Sequence, residues 1–454
     1  MEKNKFEIDM CNGPIMSKLI SFSVPLILSG MLQLMFNAVD IIVVGQFSGS
    51  TSLAAVGSTT ALINVFVNLF MGISLGANVV SARCYAMGRR EEMSKTVHTA
   101  ITIALVSGII MAVIGVIFAK GALLLMGTPE NVINLSTLYM RIYFLGMPFF
   151  MLYNYGAAIL RAVGDTKRPL IFLVISGCIN AGINMLLVIV FDMGVAGVAI
   201  GTVISQFVSC ALVINCLYRT KSSYQLRFSK LKIERDYMIQ IFQVGVPAGI
   251  QSTVINFSNA LLQSSVNSFG SVAMAGYTAA NNVLGFLYVS VNSITQACMS
   301  FTSQNYAVGK HKRMDRVLID CMVLSISVAL ILGGGAYLFG TYILNIYTSD
   351  ADVIKCGLEI LSITTVPYFF CGIMDLFPGA LRGMGYSTIP MILSIIGTVG
   401  IRILWIFVFF PMHRSLYFLF ISYPGSWIAT IVMQVICYML VRKKIASQGT
   451  LSND

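Results

Sequence analysis

Gln33, Asn37 and Asp40 are spaced four and three residues apart, which places their side chains on one face of a helix. The run around them, Met35-Phe36-Asn37-Ala38-Val39-Asp40-Ile41-Ile42-Val43-Val44, is otherwise almost wholly apolar. An ionised carboxylate inside hydrocarbon costs at least about 2.5 kcal/mol on insertion scales, so it normally faces a wet cavity, a partner or a transported ion. Asp40 is therefore a functional candidate by default, with Gln33 and Asn37 on the face that could line a cavity. The plainer reading is an acid at a helix end that reaches water. A second set, Asn180, Asn184 and Thr202, interrupts two later apolar runs. Two amides and a hydroxyl can offer donors and oxygen ligands to a carboxylate and a small cation, and can equally serve as hydrogen-bonding glue between helices. Asn154 and Asn256 are further candidates to line a substrate cavity. Asp375 and Arg402, each costly alone in an apolar run, are expected to pair, more as a bridge between two helices than as coupling groups.

These residues must be held by membrane-spanning elements. Of 454 residues, 57% are hydrophobic and only 10% charged, against about 25% charged in a soluble domain. Mean hydropathy is +0.84. At roughly 20 apolar residues per span, the length accommodates about twelve helices, among them single runs at 132–158 and 356–380. The N-terminal span, 19–44, is expected to remain in the mature chain, because its apolar run is too long for a signal peptide. Lys and Arg concentrate in alternate short loops, such as Arg83 to Lys95, Arg219 to Arg235 and Lys310 to Arg316. This positive-inside bias puts both termini in the cytoplasm and the chain in the cell's inner membrane. It also accounts for the net charge of +11 without nucleic acid. Ten cysteines stand singly and three histidines lie far apart, so neither a disulfide framework nor a His-based metal site is expected. No phosphate loop, nucleophile elbow or metal motif is present in any polar stretch. The chain reads as a non-enzyme without cofactors.

The chain also repeats itself. Tyr85-Ala86-Met87-Gly88-Arg89 returns as Tyr306-Ala307-Val308-Gly309-Lys310, and Leu160-Arg161-Ala162-Val163-Gly164 as Leu381-Arg382-Gly383-Met384-Gly385, both 221 residues later. Val24-Pro25 and Phe47 return as Val246-Pro247 and Phe269 with an offset of 222. The expectation is an all-α polytopic protein of twelve helices in two pseudo-symmetric six-helix lobes: 1–218, a cytoplasmic linker 219–236, and 237–454. Two like bundles are the plan of alternating-access transporters. Pro25 and Pro247 should each bend a helix, as a static kink or as a hinge.

These motifs resemble the MATE (multidrug and toxic compound extrusion) family, closest to its DinF-like branch, and the resemblance covers nearly all of the chain. It implies a monomeric exporter of small, amphipathic, often cationic molecules, driven by H+ or Na+ rather than ATP and embedded in membrane lipid. It also implies that Asp40, Asn180, Asn184 and Thr202 form the ion-coupling site, with Pro25 as the hinge of the first helix. The sequence departs from the branch at Asn184, where a second acid is common. The acid pair that other branches carry in the seventh and tenth spans is also missing. Two alternatives stand beside export of drugs: a flippase for lipid or lipid-linked saccharide, and a receptor or channel-like binding protein.

Overall fold

The computed structural model describes residues 6–451, and among them there is no β-strand. The helices run in order as α1 (Ile15–Phe47), α2 (Gly49–Ala86), α3 (Arg90–Leu125), α4 (Glu130–Leu145), α5 (Met147–Ala162), α6 (Lys167–Met185) and α7 (Gly194–Arg219). The second half continues with α8 (Arg235–Asn267), α9 (Ser271–Ala307), α10 (His311–Leu338), α11 (Gly340–Asn345), α12 (Ala351–Thr364) and α13 (Tyr368–Gly383). It ends with α14 (Thr388–Ser394), α15 (Ile401–Leu404), α16 (Leu416–Phe420) and α17 (Ser422–Leu451). Much of this sequence is Ile, Val and Phe, which are mediocre helix formers in water. In hydrocarbon every peptide N–H and C=O must be bonded within the segment, and only the helix does that for a single run.

Among the described residues ten helices are long and apolar enough to cross a membrane, or up to twelve if each of two bent pairs is one span. The bent pairs are α4 with α5, at 45°, and α12 with α13, at 50°. The sequence suggested one uninterrupted helix at each place. Proline explains the breaks: Pro148 sits in the first turn of α5 and Pro367 caps α13. Neither can donate to the turn before it, so each starts a new helix better than it continues an old one.

The repeated motifs encode helix ends. Gly88 and Gly309 adopt φ 69° and 70°, and Gly164 and Gly385 adopt 95° and 88°, the left-handed region that favours glycine. In all four the next residue's N–H bonds back five positions: Arg89 to Cys84 (3.2 Å), Lys310 to Asn305 (2.9 Å), Asp165 to Leu160 (2.9 Å) and Tyr386 to Leu381 (2.9 Å). This is the Schellman closure that satisfies the last carbonyls of a helix.

The chain packs into two compact units, each with its own apolar core. The first contains Val24–Gly249 and a segment ending at Met10; the second contains Cys11–Ser23 and the chain from Ile250 onward. The packed units therefore differ from the sequence halves. The opening turns of α1 belong with the second unit and those of α8 with the first, and each helix changes unit close to its proline, Pro25 or Pro247.

In the first unit, α8 lies directly on α2. Gly72 and Gly76 of α2 face Gly245 and Gly249 of α8, and a Cβ on any of the four would overlap the opposing backbone. Such small-residue faces let helix backbones approach within lipid. The same unit holds its amino-terminal segment through Glu7, which accepts hydrogen bonds from Tyr85 (2.8 Å) and Tyr224 (2.7 Å). In the second unit, Phe22 of α1 meets Phe301 of α9 edge to face, with centroids 5.5 Å apart.

Candidate functional site

α1 docks on α6 through Phe36, whose ring fills the recess left by Gly177; any side chain at 177 would overlap it. Phe36 and Asp40 are one turn apart on α1, and Gly177, Asn180 and Asn184 lie three and seven positions along one face of α6. Seating the ring at Gly177 thereby sets Asp40 against Asn184. Asn184 Nδ2 donates to Asp40 Oδ1 at 2.5 Å and to Asn180 Oδ1 at 3.3 Å. Thr202 Oγ1, from α7, lies 3.5 Å from Asp40 Oδ2 and 3.0 Å from the carbonyl of Val198 in its own helix. Its single proton serves one acceptor at a time, so the hydroxyl can donate to the carboxylate or turn a lone pair toward it.

Asp40, Asn180, Asn184 and Thr202 are thus brought together within one unit. Asn180 and Asn184 are buried, whereas Asp40 and Thr202 are half-buried and remain accessible. Asn184 Oδ1 is sealed from solvent and has no hydrogen-bond partner among the described residues. A buried acceptor left unpaired is costly. With a carboxylate, two amides and a hydroxyl, the cluster offers the hard oxygen donors that suit a small cation, and an acid that can take a proton. Among the described residues no group of three His, Cys, Asp or Glu gathers to hold a metal ion.

The space for Asn184 comes from α7. A Cβ at Gly201 would overlap Asn184 Oδ1. Gly201→Ala is expected to push Asn184 off Asp40, weakening severalfold the binding of any proton or small cation held there while expression and elution on size exclusion stay near wild type. Unchanged binding in a folded variant would count against the cluster.

The other sequence candidates separate. Gln33, Asn37 and Asn256 are exposed on their helices. Asn154 is only 5% exposed, and its amide donates to the carbonyl of Phe150 in its own helix at 2.8 Å. Pro25 is buried, and Ser29 Oγ donates back to its carbonyl at 2.8 Å; proline and serine back-bonding both bend a helix.

Asp375 and Arg402 are a correction, because among the described residues no ion pair joins them. Arg402 instead donates from Nη1 to Asn259 Oδ1 at 2.8 Å and from Nε to Ser426 Oγ at 3.3 Å, with its guanidinium carbon 4.2 Å from the Tyr423 ring centre. The aromatic face and the amide hold the charge in place of an acid.

Sequence reasoning passed over Phe36, Gly177, Gly201 and Asn259. Gly177 was within reach, lying three residues before Asn180 on the same face. Asn259 was too, as the counterpart of Asn37 at the offset of 222.

The MatE family model matches the chain twice, at residues 25–186 and 247–408. The two matches start 222 residues apart, in register with the internal repeat. Among curated relatives, the chain is 29% identical to the probable multidrug resistance protein YoeA of Bacillus subtilis, over 93% of each chain. It is 22% identical to the multidrug export protein MepA of Staphylococcus aureus, over 87% of each. Among solved structures, an outward-facing multidrug resistance MATE family transporter of the MOP superfamily superposes with a TM-score of 0.89. That match has 18% identity and covers 99% of this chain and 100% of that one. A mutant of the Vibrio cholerae MATE transporter VcmN superposes with a TM-score of 0.87, at 19% identity, over 94% and 97% of the two chains.

Proposed function

This chain belongs to the MatE family, and we propose that it is a multidrug efflux transporter of the cell membrane that exchanges H+ or Na+ for amphipathic, often cationic small molecules. Both termini face the cytoplasm, the working unit is a monomer, and no nucleic acid or cofactor takes part. The observation that carries the coupling step is the Asp40 carboxylate bonded to Asn184, whose carbonyl oxygen is buried without a partner among the described residues.

A ligand shifts a conformational equilibrium only by its differential affinity for the two states. A proton on Asp40 turns an acceptor into a donor, which Asn184 can meet by presenting its amide oxygen instead of its nitrogen. A Na+ ion would use the same oxygen with the carboxylate, Asn180 Oδ1 and Thr202 Oγ1. Either event removes the charge from α1 and lets its outer part repack beyond Pro25, weakening the hold on a cationic substrate where it is to be released.

Purified protein in proteoliposomes, loaded with a fluorescent cation and given a pH gradient or a Na+ gradient separately, tests the reading. Transport driven by one gradient and not by the other names the ion. Failure of both gradients to drive transport, in vesicles where the protein binds the dye, would remove the antiport mechanism.

A further inference from the structure

The second unit carries a charged site of opposite sign at the equivalent place. At the offset of 222, Arg402 stands where the first half has Asn180, Asn259 where it has Asn37, and Tyr423 where it has Gly201. Arg402 is only 3% exposed. Its recorded hydrogen bonds use Nε and one hydrogen of Nη1, on Ser426 and Asn259. Nη2 has no acceptor among the described residues, and it is not among the unpartnered atoms wholly sealed from the surface. The guanidinium carbon lies over the Tyr423 ring, 4.2 Å from its centre, so Nη2 and the second hydrogen of Nη1 are the donors that remain.

The backbone around Arg402 is irregular in the same sense. It lies on the single α turn of α15, between π-helical turns at Ile395–Gly400 and Trp405–Phe409. Isolated π turns are uncommon and recur at functional sites. The amide, the hydroxyl and the ring hold the charge, and they leave Nη2 without an acceptor among the described residues. A planar two-pronged donor edge matches the two oxygens of a carboxylate or phosphate.

We propose that Arg402, oriented by Asn259, Ser426 and Tyr423, binds an oxyanion: the carboxylate or phosphate head of an amphipathic organic anion. The protein would then accept acidic or zwitterionic compounds as well as cations. Binding is read without any gradient, so the proposal stands or falls apart from the coupling mechanism.

The test uses the full chain in nanodiscs of phosphatidylcholine and a fluorescent amphipath offered as its free carboxylic acid and as its methyl ester. The acid should bind at least about tenfold more tightly than the ester, the scale of one charge-assisted two-pronged contact. Arg402→Gln should erase that difference. Because Arg402→Gln can disturb a buried site, Asn259→Asp is the companion variant: it gives the guanidinium an internal carboxylate, should keep or raise the melting temperature, and should also erase the preference.

Replacing the zwitterionic lipid by phosphatidylglycerol, whose phosphate charge is not balanced by choline, separates the two sources, with Arg402→Gln in the same discs as the reference for surface repulsion. Loss of the acid's advantage there assigns the edge to a lipid phosphate, and its persistence to a soluble organic acid. Equal binding of acid and ester in phosphatidylcholine, or a preference that survives both folded variants, would overturn the proposal.

Discussion

Asp40→Asn is expected to abolish gradient-driven efflux and to leave a folded protein. Asparagine has nearly the volume of aspartate and keeps a carbonyl oxygen to accept from Asn184 Nδ2, now at 2.5 Å from the carboxylate. The removal of one exchangeable charge is the only large change. Asp40 is half-buried and Thr202 is already shared with Val198, so the substitution should alter stability by less than about 1 kcal/mol. Coupling, in contrast, depends on a group that exists in two charge states, and the cluster contains one such group. Asn180, Asn184 and Thr202 do not titrate in the physiological range. Efflux of a fluorescent cation from proteoliposomes should therefore fall to the leak of protein-free vesicles, while dye binding at equilibrium persists. Wild-type efflux from the Asp40→Asn protein would sink the assignment of coupling to this site.

Gly76→Leu is expected to have the largest effect on stability. Even a Cβ at this position overlaps the carbonyl of Ile241, which belongs to the backbone of α8 and cannot swing aside as a side chain would. Overpacking a tight contact costs typically about 1–3 kcal/mol and more when the backbone must move. Here α8 would have to lift from α2 along the whole stretch from Gly72 to Gly249. Gly121→Ala in α3 is the control, because nothing lies within 4 Å of a Cβ there. It should be neutral or gain up to about 1 kcal/mol from helix propensity. Thermal unfolding in detergent should separate the two variants by several degrees in opposite directions from wild type. If Gly76→Leu melted with Gly121→Ala, the backbone contact between α2 and α8 would not be stabilising.

Much of this was legible in the chain. Hydropathy and loop charge marked the spans, since a membrane segment has few ways to satisfy its backbone. The repeat was legible because Gly88, Gly164, Gly309 and Gly385 close helices in conformations that other residues seldom adopt. The four polar residues at the Asp40 site stood out because polarity is rare in such runs. What escaped was relational. The bends at Gly146 and Pro367 hide inside runs that are apolar throughout. The membership of α1 and α8 in both packed units follows from packing, on which hydropathy is silent. Asp375 and Arg402 looked like partners because opposite charges attract on paper. A tyrosine face and an asparagine can hold an arginine as well, and neither announces itself by charge.

The π-helical turn at Leu186–Val190 continues α6 two residues beyond Asn184. Such a turn holds one residue more than an α turn and recurs at functional sites. The cluster at Asp40 therefore lies just before a break in the α period: Asn180 and Asn184 share one face because the helix is regular up to them, and that face ends where the π turn begins.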